Sequence, residues 1–242
     1  MATLRLTTFN IQHGRNHNLQ GDIIDLPLMA STAKSTGASV FGFNEVRCGL
    51  TDGIPGFPDA PGVFASLLDG KAVFGKAIEL GEGKHYGNLL VSKLPVLDSE
   101  VITIPDPVTR TGNRLYETRC IIRAVLDCEG KPVTLLCSHF GLNDDEHGFA
   151  VATVLRLIEN DKNPVVLMGD FNMTPDDAHY ALIAERMTDC AVFCGSDEYT
   201  FSSDNPRERI DYIFVRGTKV KECHTVRVIA SDHFPVTAEI EI

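Results

Sequence analysis

Two short polar clusters, each following a β-like apolar run, carry the most visible chemistry of this chain. They are Gly169-Asp170-Phe171-Asn172 after residues 165–168, and Ser231-Asp232-His233 after residues 226–230. Each sets a carboxylate where a buried strand would meet solvent. A carboxylate there can bind a hard cation or orient a water, and a histidine beside one can move a proton or stabilise developing negative charge. The pairing points to metal-assisted hydrolysis.

In an extended segment residues two apart point the same way, so Asp170 and Asn172 would share one face while Phe171 turns into the core. Asp170 would take a proton from water or bind metal, and the Asn172 amide would hold a phosphate oxygen or water. Gly, Asp and Asn are also turn formers and Pro175 follows closely, so this tetrapeptide alone reads as a site or as a turn. Asp232 beside His233 would raise the imidazole pKa and keep it charged against an anion; a surface-loop pair is the plainer reading. Glu45 follows the apolar run 40–43 and is a hard oxygen ligand placed for Mg²⁺ or Mn²⁺, which Asn10 at the end of the first strand could support. His139 follows a similar run at 135–138. Asp211 differs from these, because it lies inside the apolar segment 210–215, where a lone carboxylate is costly. It should be paired with a cation or a histidine, and pairing with His233 would fix that imidazole's orientation.

The elements that must position these groups are mostly strands. Residues 4–10, 40–43, 72–78, 87–92, 101–104, 117–127, 132–138, 165–168, 209–215, 223–230 and 237–242 read as strands, with a hairpin turn at 128–131. Helices are expected over 22–35, ending before Gly37, after the capping box Asn143 and Glu146, and over 175–184; the Gly/Pro-rich segment 47–61 reads as a loop. Strands outnumber helices too heavily for a doubly wound parallel sheet. The expected fold is therefore α/β, two packed, mostly antiparallel sheets with helices outside. Neither a linker nor a repeat divides residues 1–242, so one domain is expected.

A net charge of −11 over 242 residues gives no long-range attraction for a phosphate backbone. Arg110, Arg114, Arg119 and Arg123 could still make a local basic cleft, and Arg119 is the substrate-binding candidate among them, although most of these arginines read as solvated. The seven cysteines are odd in number and lack paired C-x-x-C spacing, which suits thiols of a reducing compartment. Met1 leads straight into a strand pattern, and no apolar run approaches a membrane span, so a soluble, cytoplasmic chain is expected.

Taken in order, Phe9-Asn10-Ile11, Asn44-Glu45-Val46, Ser138-His139-Phe140, Gly169-Asp170-Phe171-Asn172, Arg209-Ile210-Asp211-Tyr212 and Ser231-Asp232-His233-Phe234-Pro235-Val236 resemble the successive motifs of the endonuclease/exonuclease/phosphatase superfamily. The resemblance runs from the first strand to the last. It implies a four-layer α/β/β/α sandwich and a divalent cation, usually Mg²⁺, bound by Glu45 with help from Asn10. It further implies that Asp170 orients or activates water, Asn172 and His139 contact phosphate, and His233, backed by Asp211, stabilises the pentacovalent phosphorus. Asp232 would be a further metal or water ligand, and Asn88 would face the site.

Two departures bear on substrate. Asn44 stands where the family often has Gln, and Gln12, followed by His13, stands where many nucleases of the family carry Asp. The second weakens the case for another metal ligand there, and with it an abasic-site nuclease. The sequence thus favours a Mg²⁺-dependent hydrolase of small or head-group phosphate esters. A nucleic-acid endo- or exonuclease and a non-catalytic phosphate-binding module of the same fold are the alternatives.

Overall fold

The computed structural model describes residues 2–49 and 56–242. Two six-stranded sheets form from consecutive stretches of chain, except that the last two strands return to the first sheet. The first half supplies β1 (Thr3–Asn10), α1 (Leu26–Ser35), β2 (Val40–Gly49), α2 (Ala60–Leu68), β3 (Lys71–Glu79) and β4 (Lys84–Ser92). There follow β5 (Val96–Thr103), β6 (Cys120–Cys128), β7 (Lys131–His139), α3 (Asp144–Asn160), β8 (Val165–Asp170), α4 (Ala178–Ala184), β9 (Thr188–Asp189), α5 (Cys190–Phe193) and β10 (Asp211–Arg216). The chain ends with β11 (Lys219–Thr225) and β12 (Val236–Glu241). The strand orders are β11-β12-β1-β2-β4-β3 and β5-β6-β7-β8-β10-β9. Only β1 with β2 and β7 with β8 run parallel among these pairs.

Alternation decides the layers. One side of each sheet meets the other sheet, where Leu4, Leu6, Val40 and Leu90 pack with Ile122, Leu135, Val166 and Ile213. On the outer faces, Phe41, Phe43 and Leu89 pack beneath Met29 of α1 and Phe64 of α2, and Leu136 and Leu167 beneath Val154 of α3 and Ile183 of α4. These are four layers, helix, sheet, sheet, helix, as expected.

Several boundaries differ from the sequence reading. Helix α1 begins at Leu26 rather than at 22, because the Asp25 carboxylate caps it by accepting the Leu28 N–H at 2.9 Å. The loop expected over 47–61 partly falls on residues 50–55, outside those described, but β2 runs on to Gly49 and α2 starts at Ala60. Asp59 caps α2 and Pro61 sits in its first turn, so the Pro and Gly read as loop signals belong to a helix start. The strand expected over 223–230 stops at Thr225: the last β11–β12 pair is Thr225 with Val236, and beyond it only the Val226 N–H still bonds across, to the Pro235 carbonyl at 2.8 Å. The hairpin at 128–131 and the capping box of α3 form as read, Asn143 N–H donating to Glu146 Oε2 at 3.1 Å.

Candidate active site

Strand register brings the chemistry to one rim. His139, Asp170 and Asp211 are paired across β7, β8 and β10, and Asn10 pairs with Asn44 across β1 and β2. In the second sheet the parallel pair β7 and β8 ends at this rim, so His139 and Asp170 emerge together; in the first, β1 ends there at Asn10, beside an irregularity in β2 at Asn44 and Glu45. The two rungs meet there across the sandwich.

Asp170 is fully buried and held from several sides. Its N–H donates to Asn44 Oδ1 at 3.0 Å, its Oδ1 accepts the Asn172 N–H at 2.9 Å, and its Oδ2 accepts Asn10 Nδ2–H at 2.8 Å. The same Oδ2 lies 3.7 Å from His233 Nε2 and 3.6 Å from His139 Nε2. Gly169 makes this possible: with φ +147° it lies so close to β7 that any Cβ would strike the Ser138 carbonyl oxygen. Burial raises the Asp170 pKa, the nearby His233 charge offsets part of the rise, and the Asp211 charge adds to it.

His233 comes from the loop 226–235, not from a strand end. Its Nδ1 donates to Asp211 Oδ2 at 2.8 Å, both side chains being buried, so the acid inside the apolar strand has the partner its burial demanded. The segment at Thr200 and Phe201 clamps this pair. Thr200 O accepts the Phe234 N–H at 2.8 Å, Thr200 Oγ1 accepts the Asp211 N–H at 3.2 Å, and the Phe201 ring centroid is 4.7 Å from the imidazole. Burial opposes the charged imidazole, but Asp211, then Asp170 and Asp232, outweigh it and raise the His233 pKa. His139 goes the other way: burial, then the charges of Arg119 and His233, push its pKa well down. Arg119 Nη1 lies 3.1 Å from His139 Nδ1. Arg119 is itself held by Glu117 at 3.1 Å.

Asn172 reaches the site by a different route from the one expected. Strand β8 ends at Asp170, and Asn172 has φ +51°, so a left-handed turn rather than a shared strand face aims its amide. Its Nδ2 donates to the Phe140 carbonyl at 3.1 Å and lies 3.0 Å from His139 Nε2. Phe171 is nevertheless buried, stacked on Phe140 at 4.4 Å.

Glu45 sits within β2 rather than at its end, at an irregularity between Phe43 and Val46 with φ +60°. Its Oε1 accepts Asn10 Nδ2–H at 3.0 Å. Asp232 Oδ2 accepts Gln12 Nε2–H at 2.7 Å and its Oδ1 accepts the Ser231 hydroxyl at 3.0 Å. Burial raises the Asp232 pKa, His233 opposes the rise, and the Glu45 charge adds to it. Ligand atoms of Glu45, His139 and Asp170 lie within 4.8 Å of one another. Carboxylates that converge and repel in this way fit a hard divalent cation, which relieves the repulsion and takes oxygen ligands. Of the expected ligands Glu45, Asn10 and Asp232, Glu45 belongs to this convergent group, with His139 and Asp170.

Asn88 does not face the cleft. It is buried behind, its Nδ2 donating to the Cys120 carbonyl at 3.0 Å and its Oδ1 accepting Asn44 Nδ2–H at 2.8 Å, so it supports Asn44. His13 pairs with Asp22 instead of joining the site, and Gln12 reaches Asp232. The cleft, of about 460 Å³, is also lined by Tyr86, Arg114, Glu117, Thr174, Phe201 and Glu208. Of these six the sequence reading anticipates only Arg114, as one of the arginines that could make a local basic cleft. The period-two rule offers a signal for Glu117, two residues before Arg119 in an extended segment.

Residues 7–233 match the sequence model of the Endonuclease/Exonuclease/phosphatase family. The fold superposes on an endonuclease/exonuclease/phosphatase from Beutenbergia cavernae with a TM-score of 0.86 at 23% identity, covering 100% of this chain and 72% of that one. It superposes on a mannosyl-6-phosphatase from Bacteroides thetaiotaomicron with a TM-score of 0.77 at 18% identity, covering 99% and 100%. A UPF0294 protein from Erwinia tasmaniensis is 29% identical over 116 residues. That match spans 46% of this chain and 41% of the relative's length.

Proposed function

This chain belongs to the Endonuclease/Exonuclease/phosphatase family, and we propose that it hydrolyses small or head-group phosphate esters by in-line attack of water, with Mg²⁺ or Mn²⁺ as cofactor. Members of that family are metal-dependent phosphoesterases and nucleases. The observation that carries the reading is the buried line Asp211, His233, Asp170, in which the imidazole is 2.8 Å from one carboxylate and 3.7 Å from the other.

Each residue then has a task set by its surroundings. Asp170, with a raised pKa and one oxygen facing the histidines, accepts a proton from the attacking water. His233, kept charged by Asp211, donates from Nε2 to the phosphoryl oxygens as negative charge gathers on them. His139 and the Asn172 amide hold a phosphate oxygen, and Arg119, 3.1 Å from His139 Nδ1, lines the cleft beside them. Glu45, Asn10 and Asp232 would hold the divalent cation, which when bound would supply Lewis-acid stabilisation of phosphoryl charge. Asn44 and Asn88 position Asp170 from behind.

The cleft favours a compact substrate over a nucleic acid. Glu45, Glu117, Asp170, Asp177, Glu208 and Asp232 line it against Arg114 and Arg119, so a polyanion gains little there beyond its reacting phosphate. A volume of about 460 Å³ suits a ligand of sugar-phosphate or head-group size. The scaffold is compatible with such a ligand, since a mannosyl-6-phosphatase shares it. Seven free thiols, six of them buried, support a reducing, cytoplasmic setting. Among the described residues no helix is long and apolar enough to cross a membrane. The core shared between the two sheets supports treating residues 1–242 as one domain.

A turnover panel with and without Mg²⁺ tests the reading, using a sugar phosphate, an inositol phosphate, a phospholipid, a small phosphodiester and plasmid DNA. Mg²⁺-dependent release of phosphate or alcohol from a small ester is expected. Plasmid nicking faster than any small ester would replace the proposal with a nuclease, and silence throughout would replace it with a phosphate-binding module.

A further inference from the structure

Where the first turns of α3 and α4 meet, two aspartates and a histidine that the hydrolytic machinery does not use converge, with a second histidine beside one of the aspartates. Asp144, Asp177 and His179 each present a ligand atom, all within 4.8 Å of one another. His179 Nε2 is 3.2 Å from Asp144 Oδ1. Beside them His147 is buried, 5% exposed, with Nε2 bonded to the Gly141 carbonyl at 3.0 Å. Its Nδ1 is buried with no hydrogen-bond partner and lies 3.6 Å from Asp177 Oδ2. The other oxygen of Asp177 accepts the His179 N–H at 2.7 Å, which fixes that carboxylate in place.

The His147 nitrogen is the telling atom. With the ring proton given to the Gly141 carbonyl, Nδ1 carries a lone pair, and 3.6 Å is too long for a hydrogen bond to Asp177. Such an atom is costly to leave buried and unpaired. A metal ion between the two groups satisfies both. Tetrahedral coordination at about 2.0–2.1 Å sets neighbouring ligand atoms roughly 3.3–3.5 Å apart, and the observed 3.2 and 3.6 Å separations bracket that spacing. The bond from Nε2 to a backbone carbonyl is the outer contact that typically fixes the tautomer of a metal-bound imidazole. The two rings stand nearly perpendicular, their centroids 6.2 Å apart.

We propose that His179 Nε2, Asp144 and Asp177 form a binding site for a transition metal of the Zn²⁺ class, with His147 Nδ1 joining from beside Asp177. Two imidazole nitrogens select Zn²⁺ over Mg²⁺, which prefers an all-oxygen set. The site is separate from Glu45, Asn10 and Asp232. It ties α3 to α4 at the rim of the cleft, because Asp177 also lines that cleft.

Co²⁺ titration of the chelator-stripped full chain, read by visible absorption and by stoichiometry, tests the proposal. Wild type is expected to show the intense bands of tetrahedral Co²⁺ and to bind one equivalent more than His179→Ala or Asp144→Asn. Both of those side chains reach solvent, so the variants keep the core intact. Glu45→Gln should retain the tetrahedral bands, and Zn²⁺ should abolish them by displacement. Zn²⁺ should also raise the Tm of wild type but not of His179→Ala. Equal stoichiometry and spectra in wild type and both surface variants would overturn the proposal, as would loss of the tetrahedral bands in Glu45→Gln alone.

Discussion

Replacing Asp211 by asparagine removes one charge from the line Asp211, His233, Asp170 while keeping the shape of the side chain. Both Asp211 and His233 are buried, 1% and 4% exposed, so solvent does little to screen them. At an effective dielectric of about 20 and a charge separation of about 4 Å, the carboxylate favours the imidazolium by about 4 kcal/mol. If most of that is felt where phosphoryl charge develops, kcat falls by roughly 10²–10³, at about 1.4 kcal/mol per tenfold. KM should move little, because the interaction strengthens in the transition state rather than with bound substrate. Asp211 Oδ1 has no partner in the fold, and an asparagine NH₂ in its place would be an unpaired donor costing about 1–3 kcal/mol of stability. Thermal melts must therefore accompany initial rates with Mg²⁺ and a small phosphate ester. A folded Asp211→Asn protein with wild-type kcat would refute the reasoning.

Other perturbations follow from the same geometry. Asn44→Ala should lower stability by about 3 kcal/mol, measured by denaturant unfolding, because it strands the Asp170 N–H, the Ser138 carbonyl and Asn88 Oδ1 in the interior; an unchanged midpoint would contradict this. Gly169→Ala should fail to fold or melt far below wild type, since its Cβ strikes the Ser138 carbonyl where β7 and β8 run parallel. Chelation should stop turnover while leaving the circular dichroism spectrum intact, with Mg²⁺ restoring the rate; turnover in excess chelator would exclude the assigned cofactor.

Much of this site is legible in the sequence because strand ends and buried charges leave local signatures. Asp211 announces itself as an acid inside an apolar strand, and the His233 partner inferred for it is the one found at 2.8 Å. Asp170, His139 and Asn10 end strands whose apolar runs are unmistakable; register makes His139 and Asp170 neighbours, and packing of the two sheets brings Asn10 to Asp170. What stayed hidden depends on contacts between distant segments. Asn172 follows a left-handed turn that its type permits but does not require, and Asn88 spends its amide on Asn44 and Cys120 in the opposing sheet. Residues 226–230 have a strand-like composition, yet β12 starts only at Val236, so there is no partner strand for them. Helix α2 was masked by its own start signals, Asp59 and Pro61, which read equally as a turn.

The most direct test of the central claim is the Mg²⁺-dependent initial rate of phosphate-ester hydrolysis by Asp170→Asn beside wild type. A loss of roughly 10²–10⁴ in rate is expected, with the far-UV spectrum unchanged. Wild-type turnover in the folded variant would remove Asp170, and with it this mechanism, from the chemistry of the cleft.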